Sequence, residues 1–250
     1  MTLLSVERIK LFSTRSPYWC LASILAAALL FALLMGTIEG GRQATTYLSQ
    51  TGLQIGMIVF MVLAALAVTT EYRFGTIRVS FLAVPRRPNV LIAKTVLLVV
   101  LAAVAALVCS FAAFFLTKAL ASPEVPLTLS SGDDWRMVVG HTALFALAAV
   151  IAVAVGTLIR QSAGAITILL VWPLLLENLV QLIPKVGRDI HNWMPFTAAA
   201  NFVSPGPNAQ VFGQALQAGG PTAVQGLLVF AATAVVLWAA ALLVLLRRDA

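Results

Sequence analysis

Long apolar runs broken by short polar stretches dominate the chain. At about 1.5 Å of rise per residue, crossing roughly 30 Å of hydrocarbon takes about 20 mostly apolar residues. Six windows meet that requirement: residues 17–37, 51–70, 90–117, 137–159, 163–183 and 223–246. The pattern predicts an all-α polytopic membrane protein, a single transmembrane domain over residues 1–250 with no second soluble domain. Ser16 and Pro17 are placed to cap and open the first span, and Asn89 to cap the third. The turn "RQSAG" after the fourth span is long enough only to reverse the chain. In the segment 184–222, "WMPFTAAANF" and "NAQVFGQALQ" space their apolar residues as short helices would, lying on the surface or dipping partway in.

Composition agrees with this reading. Of 250 residues, 61% are hydrophobic and 10% charged, and mean hydropathy is +0.99. The net charge of +7 sits beside the apolar runs instead of forming a basic stripe with interleaved aromatics. That placement points to lipid headgroups and excludes nucleic acid as a partner. With the N-terminus inside, eleven Lys and Arg residues lie on the cytoplasmic side (Arg8, Lys10, Arg15, Arg73, Arg78, Arg86, Arg87, Lys94, Arg160, Arg247, Arg248) and five outside. The positive-inside rule therefore predicts cytoplasmic N- and C-termini. The first span is too long for a cleaved signal and reads as a retained anchor. Cys20 and Cys109 both fall in apolar runs and read as inert thiols.

The sizeable cytoplasmic loop, residues 71–89, is ordered in its punctuation. Glu71 closes the second span and Gly75 suits a left-handed helix end. Thr76 opens a short helix that Pro85 and Pro88 terminate. Ile77, Phe81 and Val84 share one face of that helix, ringed by Arg73, Arg78, Arg86 and Arg87. Arginines here are explained by topology alone, but topology needs no such spacing.

The residues Glu71, Gly75 and Thr76 in "EYRFGTIR", with Pro85, Arg87 and Lys94 in "VPRRPNVLIAK", resemble the ABC-2 type permeases, membrane subunits of bacterial ABC exporters. "VERIKLFSTRSPYW" before the first span and "NWMPFTAAANF" before the last agree. The resemblance implies that the loop holds a coupling helix docking in a cleft of an ATPase subunit. Its contact set here is Glu71, Arg73, Gly75, Thr76, Ile77, Arg78, Phe81, Pro85 and Arg87. It also implies an amphipathic interfacial helix in residues 1–15, although Leu3, Leu4, Val6, Ile9, Leu11 and Phe12 scatter around a helical wheel. Two permeases, identical or homologous, would work with two ATPase copies. The cargo path between the second and fifth spans would be lined by Gln54, Met57, Phe60, Met61, Thr167, Trp172 and Glu177. Apolar walls imply a hydrophobic or amphipathic cargo, such as a drug, natural product or lipid, leaving across the bacterial plasma membrane.

The chain itself is expected to be no enzyme. It lacks G-x-x-x-x-G-K-[ST], so ATP and Mg would belong to the partner ATPase. His141 and His191 lie 50 residues apart with no ligand-spaced neighbour, so no metal is expected. Glu177 reads either as a cavity residue or as an interfacial glutamate, and Pro173 as a kink. Gly52 with Gly56, and Gly36 with Gly40, form small-xxx-small pairs for close approach within the chain or across a dimer. Two other classes remain: an ion-gradient-driven secondary transporter, and a non-transporting scaffold or immunity protein.

Overall fold

The computed structural model describes residues 3–77, 87–125, 127–205, 210–211, 214–215 and 220–248. Among them, ten helices follow in order: α1 (Leu3–Phe12), α2 (Ser16–Thr37), α3 (Thr46–Ser49), α4 (Thr51–Arg73) and α5 (Arg87–Leu120), then α6 (Gly132–Ile159) and α7 (Ser162–Val180), and α8 (Gly187–Asn192), α9 (Pro195–Phe202) and α10 (Ala223–Arg248). Outside the helices, Gln210–Val211 pair antiparallel with Gln214–Ala215.

Six helices, α2, α4, α5, α6, α7 and α10, are long and apolar enough to cross a membrane. Only a helix satisfies every backbone N–H and C=O within its own segment, which such an apolar chain requires. The bundle has a base, where α1, the last turn of α4 and the first turns of α5 lie, and a top, where α3, α8 and α9 lie. Helix α6 is central: 61% of its apolar window is buried, against 17% for α10. It packs on α4, α5 and α10, while α2 packs on α4 and α5.

Helix α6 begins five residues before the expected window because Ser131 and Asp134 form a reciprocal capping box in "SGDD". Helix α5 starts at Arg87, so Asn89 lies inside its first turn instead of capping it. Arg15, not Ser16, stands at the cap of α2, with no side-chain bond. Around Pro173, the regular α-helical turns give way to a π turn over Trp172–Leu176, which absorbs the missing N–H without breaking α7.

The glycine pair at Gly52 and Gly56 serves contact within the chain. A Cβ at Gly52 would stand 2.6 Å from the Ala27 carbonyl oxygen, and one at Gly56 2.9 Å from the Ile24 side chain, so α4 meets α2 backbone to backbone. Gly36 meets Leu120, whereas a Cβ at Gly40 would meet nothing, so the second expected pair is not a packing pair. Polar groups add specific ties. Ser110 Oγ on α5 stands 2.5 Å from the Val138 carbonyl and 2.6 Å from Gln50 Oε1, sharing its one proton between these two acceptors and tying α5 to α6 and to the residue that precedes α4.

Candidate functional site

Four charged side chains meet at the base, drawn from three helices. Glu7 and Lys10 come from α1, Glu71 from the last turn of α4, and Lys94 from the second turn of α5. Lys94 Nζ donates to Glu7 Oε2 at 2.5 Å, to Glu71 Oε1 at 2.9 Å and to the Ala67 carbonyl at 3.2 Å. Lys10 Nζ reaches Glu7 Oε1 at 2.9 Å and Glu71 Oε1 at 3.3 Å. Glu7, Glu71 and Lys94 are buried, while Lys10 closes the cluster on its solvent side.

The order of sequence positions explains this convergence. Glu7 is the buried residue of α1, so the inward face of that helix carries a charge where an amphipathic helix would carry a leucine. The absence of an apolar stripe in "LLSVERIKLF" has this cause. Burial alone would push the Glu7 carboxyl up, but the Lys94 and Lys10 ammonium groups outweigh it and hold Glu7 below its ordinary range. Burial likewise pulls Lys10 down, and Glu7 and Glu71 reverse that, leaving Lys10 raised.

Around the cluster lies a cavity of about 520 Å³, walled by Leu11, Leu63, Leu66 and Leu97 and by the hydroxyls of Thr70 and Thr76. Glu71 Oε2 is buried there and has no hydrogen-bond partner among the described residues. The cluster contains no activated nucleophile and no oxyanion donor pair. Its chemistry is that of a clamp: removing one member of such a set leaves an uncompensated buried charge, at a cost of about 3–5 kcal/mol.

The expected loop residues divide. Glu71 is in the cluster, and Arg73 is exposed with its guanidinium 5.6 Å from the Phe74 ring centre. Gly75 takes φ +70° and ends α4 as a left-handed residue. Thr76 and Ile77 have resumed helical backbone, and Thr76 lines the cavity beside Glu71. Arg78, Phe81 and Pro85 lie outside the described residues, and of Arg87 only the backbone is described, as the first residue of α5. Sequence reasoning missed Glu7, Lys10 and Lys94 as a set. The available signal was the cost of a lysine inside an apolar helix, which obliges a buried counter-charge nearby.

At the top, Gln54, Met57 and Glu177 line a second cavity of about 300 Å³ between α4, α7 and α9. Phe60 and Met61 do not reach it: both are fully buried, Phe60 with its ring 6.3 Å from Phe145 of α6. Trp172 stands edge-on to Phe196 at 5.9 Å, and Thr167 is exposed on α7. Glu177 is 2% exposed. Its Oε1 accepts from Phe196 N at 2.9 Å, and its Oε2 from Thr197 N at 2.7 Å and Thr197 Oγ1 at 2.8 Å. Glu177 thus caps the N-terminus of α9 from another helix, where the helix dipole favours negative charge. His191 donates from Nδ1 to the Glu177 carbonyl at 2.8 Å, and its Nε2 faces the Gln181 amide at 2.8 Å. Although both histidines line this cavity, no three His, Cys, Asp or Glu side chains group as metal ligands among the described residues.

Comparisons with protein-family models, with curated proteins and with solved structures return no match for this chain.

Proposed function

We propose that the chain is the membrane-spanning, non-catalytic permease subunit of an ATP-driven exporter of the ABC-2 type. It lies in a bacterial plasma membrane with both termini cytoplasmic. One observation carries the reading: Glu7, Lys10, Glu71 and Lys94 lock α1, α4 and α5 together at the root of the 71–89 loop. A chain without a nucleotide motif must receive its driving force from outside, and a force on that loop reaches the spans only through a stiff root. The charge-paired junction supplies that stiffness, and the eleven-to-five excess of Lys and Arg on this side favours a cytoplasmic base.

Two ATPase subunits holding ATP and Mg would dock on the loops of two permeases, identical or homologous. Nucleotide-driven closure of the ATPases would then switch the space between facing α4 and α7 from inward to outward access. A hydrophobic or amphipathic cargo fits the largely apolar walls. The gradient-driven alternative is weakened by Glu177, whose carboxylate oxygens are occupied by three donors of α9.

Affinity purification of the tagged chain from gently solubilised membranes, followed by mass spectrometry, tests the reading. We expect an ATPase with a phosphate-binding loop to co-purify with the natural chain and to be lost from Phe81→Asp. Absence of any ATPase from the natural chain, or its undiminished retention by the variant, overturns the proposal.

A further inference from the structure

The cavity beneath α9 carries a polar atom that the protein leaves open. His141 of α6 is 4% exposed, and its imidazole lines the cavity. Nδ1 lies 2.8 Å from the Met137 carbonyl, one turn back on the same helix. A carbonyl only accepts, so Nδ1 carries the proton and Nε2 presents a lone pair. That lone pair meets no donor among the described residues. Nε2 opens to the cavity instead of being sealed in the core, so a ligand donor can reach it.

Apart from Gln54, the other polar side chains of the lining are engaged by the protein. Glu177 accepts from Phe196 and Thr197, and His191 is engaged at both ring nitrogens. Asn178 donates to the Leu174 carbonyl. Gln54, exposed at the rim, adds an amide, and the remaining walls include Leu53, Met57, Ile58, Leu144 and Val203. With its one carboxylate already satisfied, this cavity has no free charge to offer a cation or an anion.

We infer that this cavity is a binding site for a small, uncharged, largely apolar molecule bearing one hydroxyl or N–H donor, which it gives to Nε2 of His141. A volume of about 300 Å³ lies at the lower end of small-molecule sites. The inference stands without the transport reading, because binding is measured on the chain alone.

The test uses 1-naphthol and its methyl ether, which share an aromatic body and differ in the donor. Binding of each to the full chain in phosphatidylcholine nanodiscs is measured by equilibrium dialysis, with empty nanodiscs subtracted. The natural chain should bind naphthol about tenfold more tightly than the ether. His141→Leu should bring the two within about twofold of each other, and His141→Gln, which keeps an acceptor, should retain part of the preference. Met57→Trp, filling the cavity while leaving His141 in place, should lose both ligands. Equal binding of the pair by the natural chain, or binding of neither, overturns the site. So does a preference that survives in His141→Leu or, should that variant not fold, in Met57→Trp.

Discussion

Lys94 sits at the centre of the base because its ammonium touches both buried carboxylates at once. Lys94→Met removes the buried cation shared by Glu7 and Glu71, leaving only the half-buried Lys10 beside them, and should lower stability by about 3–5 kcal/mol, read as a fall in the thermal unfolding midpoint. The pH dependence has two edges. Glu7 is held below its ordinary value of 4.5, so its contribution is present above that value and is lost as pH falls through its lowered folded value. Lys10 is raised above 10.5, so its contribution is full below that value and lost as pH rises beyond it. Unfolding midpoints of the natural chain should therefore hold a plateau between these limits and fall at both ends. In Glu7→Gln the acid edge should shrink. Glu177 makes a contrasting case, because its role is capping. Glu177→Gln should cost about 1–3 kcal/mol by unsettling α9, while relative export of charged and neutral cargo stays unchanged. A changed charge preference in vesicle export would return Glu177 to the cargo path.

Element by element, what the sequence disclosed depends on where the informative partner lies. The six spans were legible because length and apolarity are local properties, and Gly75 was legible because a left-handed helix end has its own residue preference. The early start of α6 was present in "SGDD" as a capping box. Helix α1 was hard to read because its inward face is chosen by carboxylate and ammonium partners far along the chain, which periodicity does not register. The role of Glu177 was hidden for the same reason: its donors, Phe196 and Thr197, lie 19 and 20 residues onward in a separate helix. Small residues gave a half-answer, since small-xxx-small spacing marks close approach without naming the partner. The backbone of α2 against Gly52 now makes that element-level expectation concrete. Gly52→Val should force α2 and α4 apart and cost about 1–3 kcal/mol or more, while Gly40→Ser, facing open space, should be limited to the strain of its positive φ. Unfolding midpoints in detergent compare the two directly.

For the molecule as a whole, the proposed mechanism makes the base a transmission, and a transmission depends on rigidity more than on charge. Buried ion pairs can often be replaced by well-packed apolar groups at little or no cost to stability, whereas breaking one partner loosens the structure. The two kinds of change therefore separate glue from mechanism. Lys94→Met alone leaves two carboxylates with only the half-buried Lys10 beside them, so α1 and α4 should part from α5. ATPase should still dock on the intact loop, but export into inverted vesicles per ATP hydrolysed should drop severalfold. The combined variant Glu7→Leu, Glu71→Leu and Lys94→Leu fills the same junction with side chains that repel nothing. It should recover a large share of both the unfolding midpoint and the transport ratio. If the single variant folds, binds ATPase and exports with an undiminished ratio, force enters the spans by some route other than this junction. If the combined variant is as stable as the natural chain yet remains uncoupled, the charges themselves, and not the stiffness they confer, carry the motion.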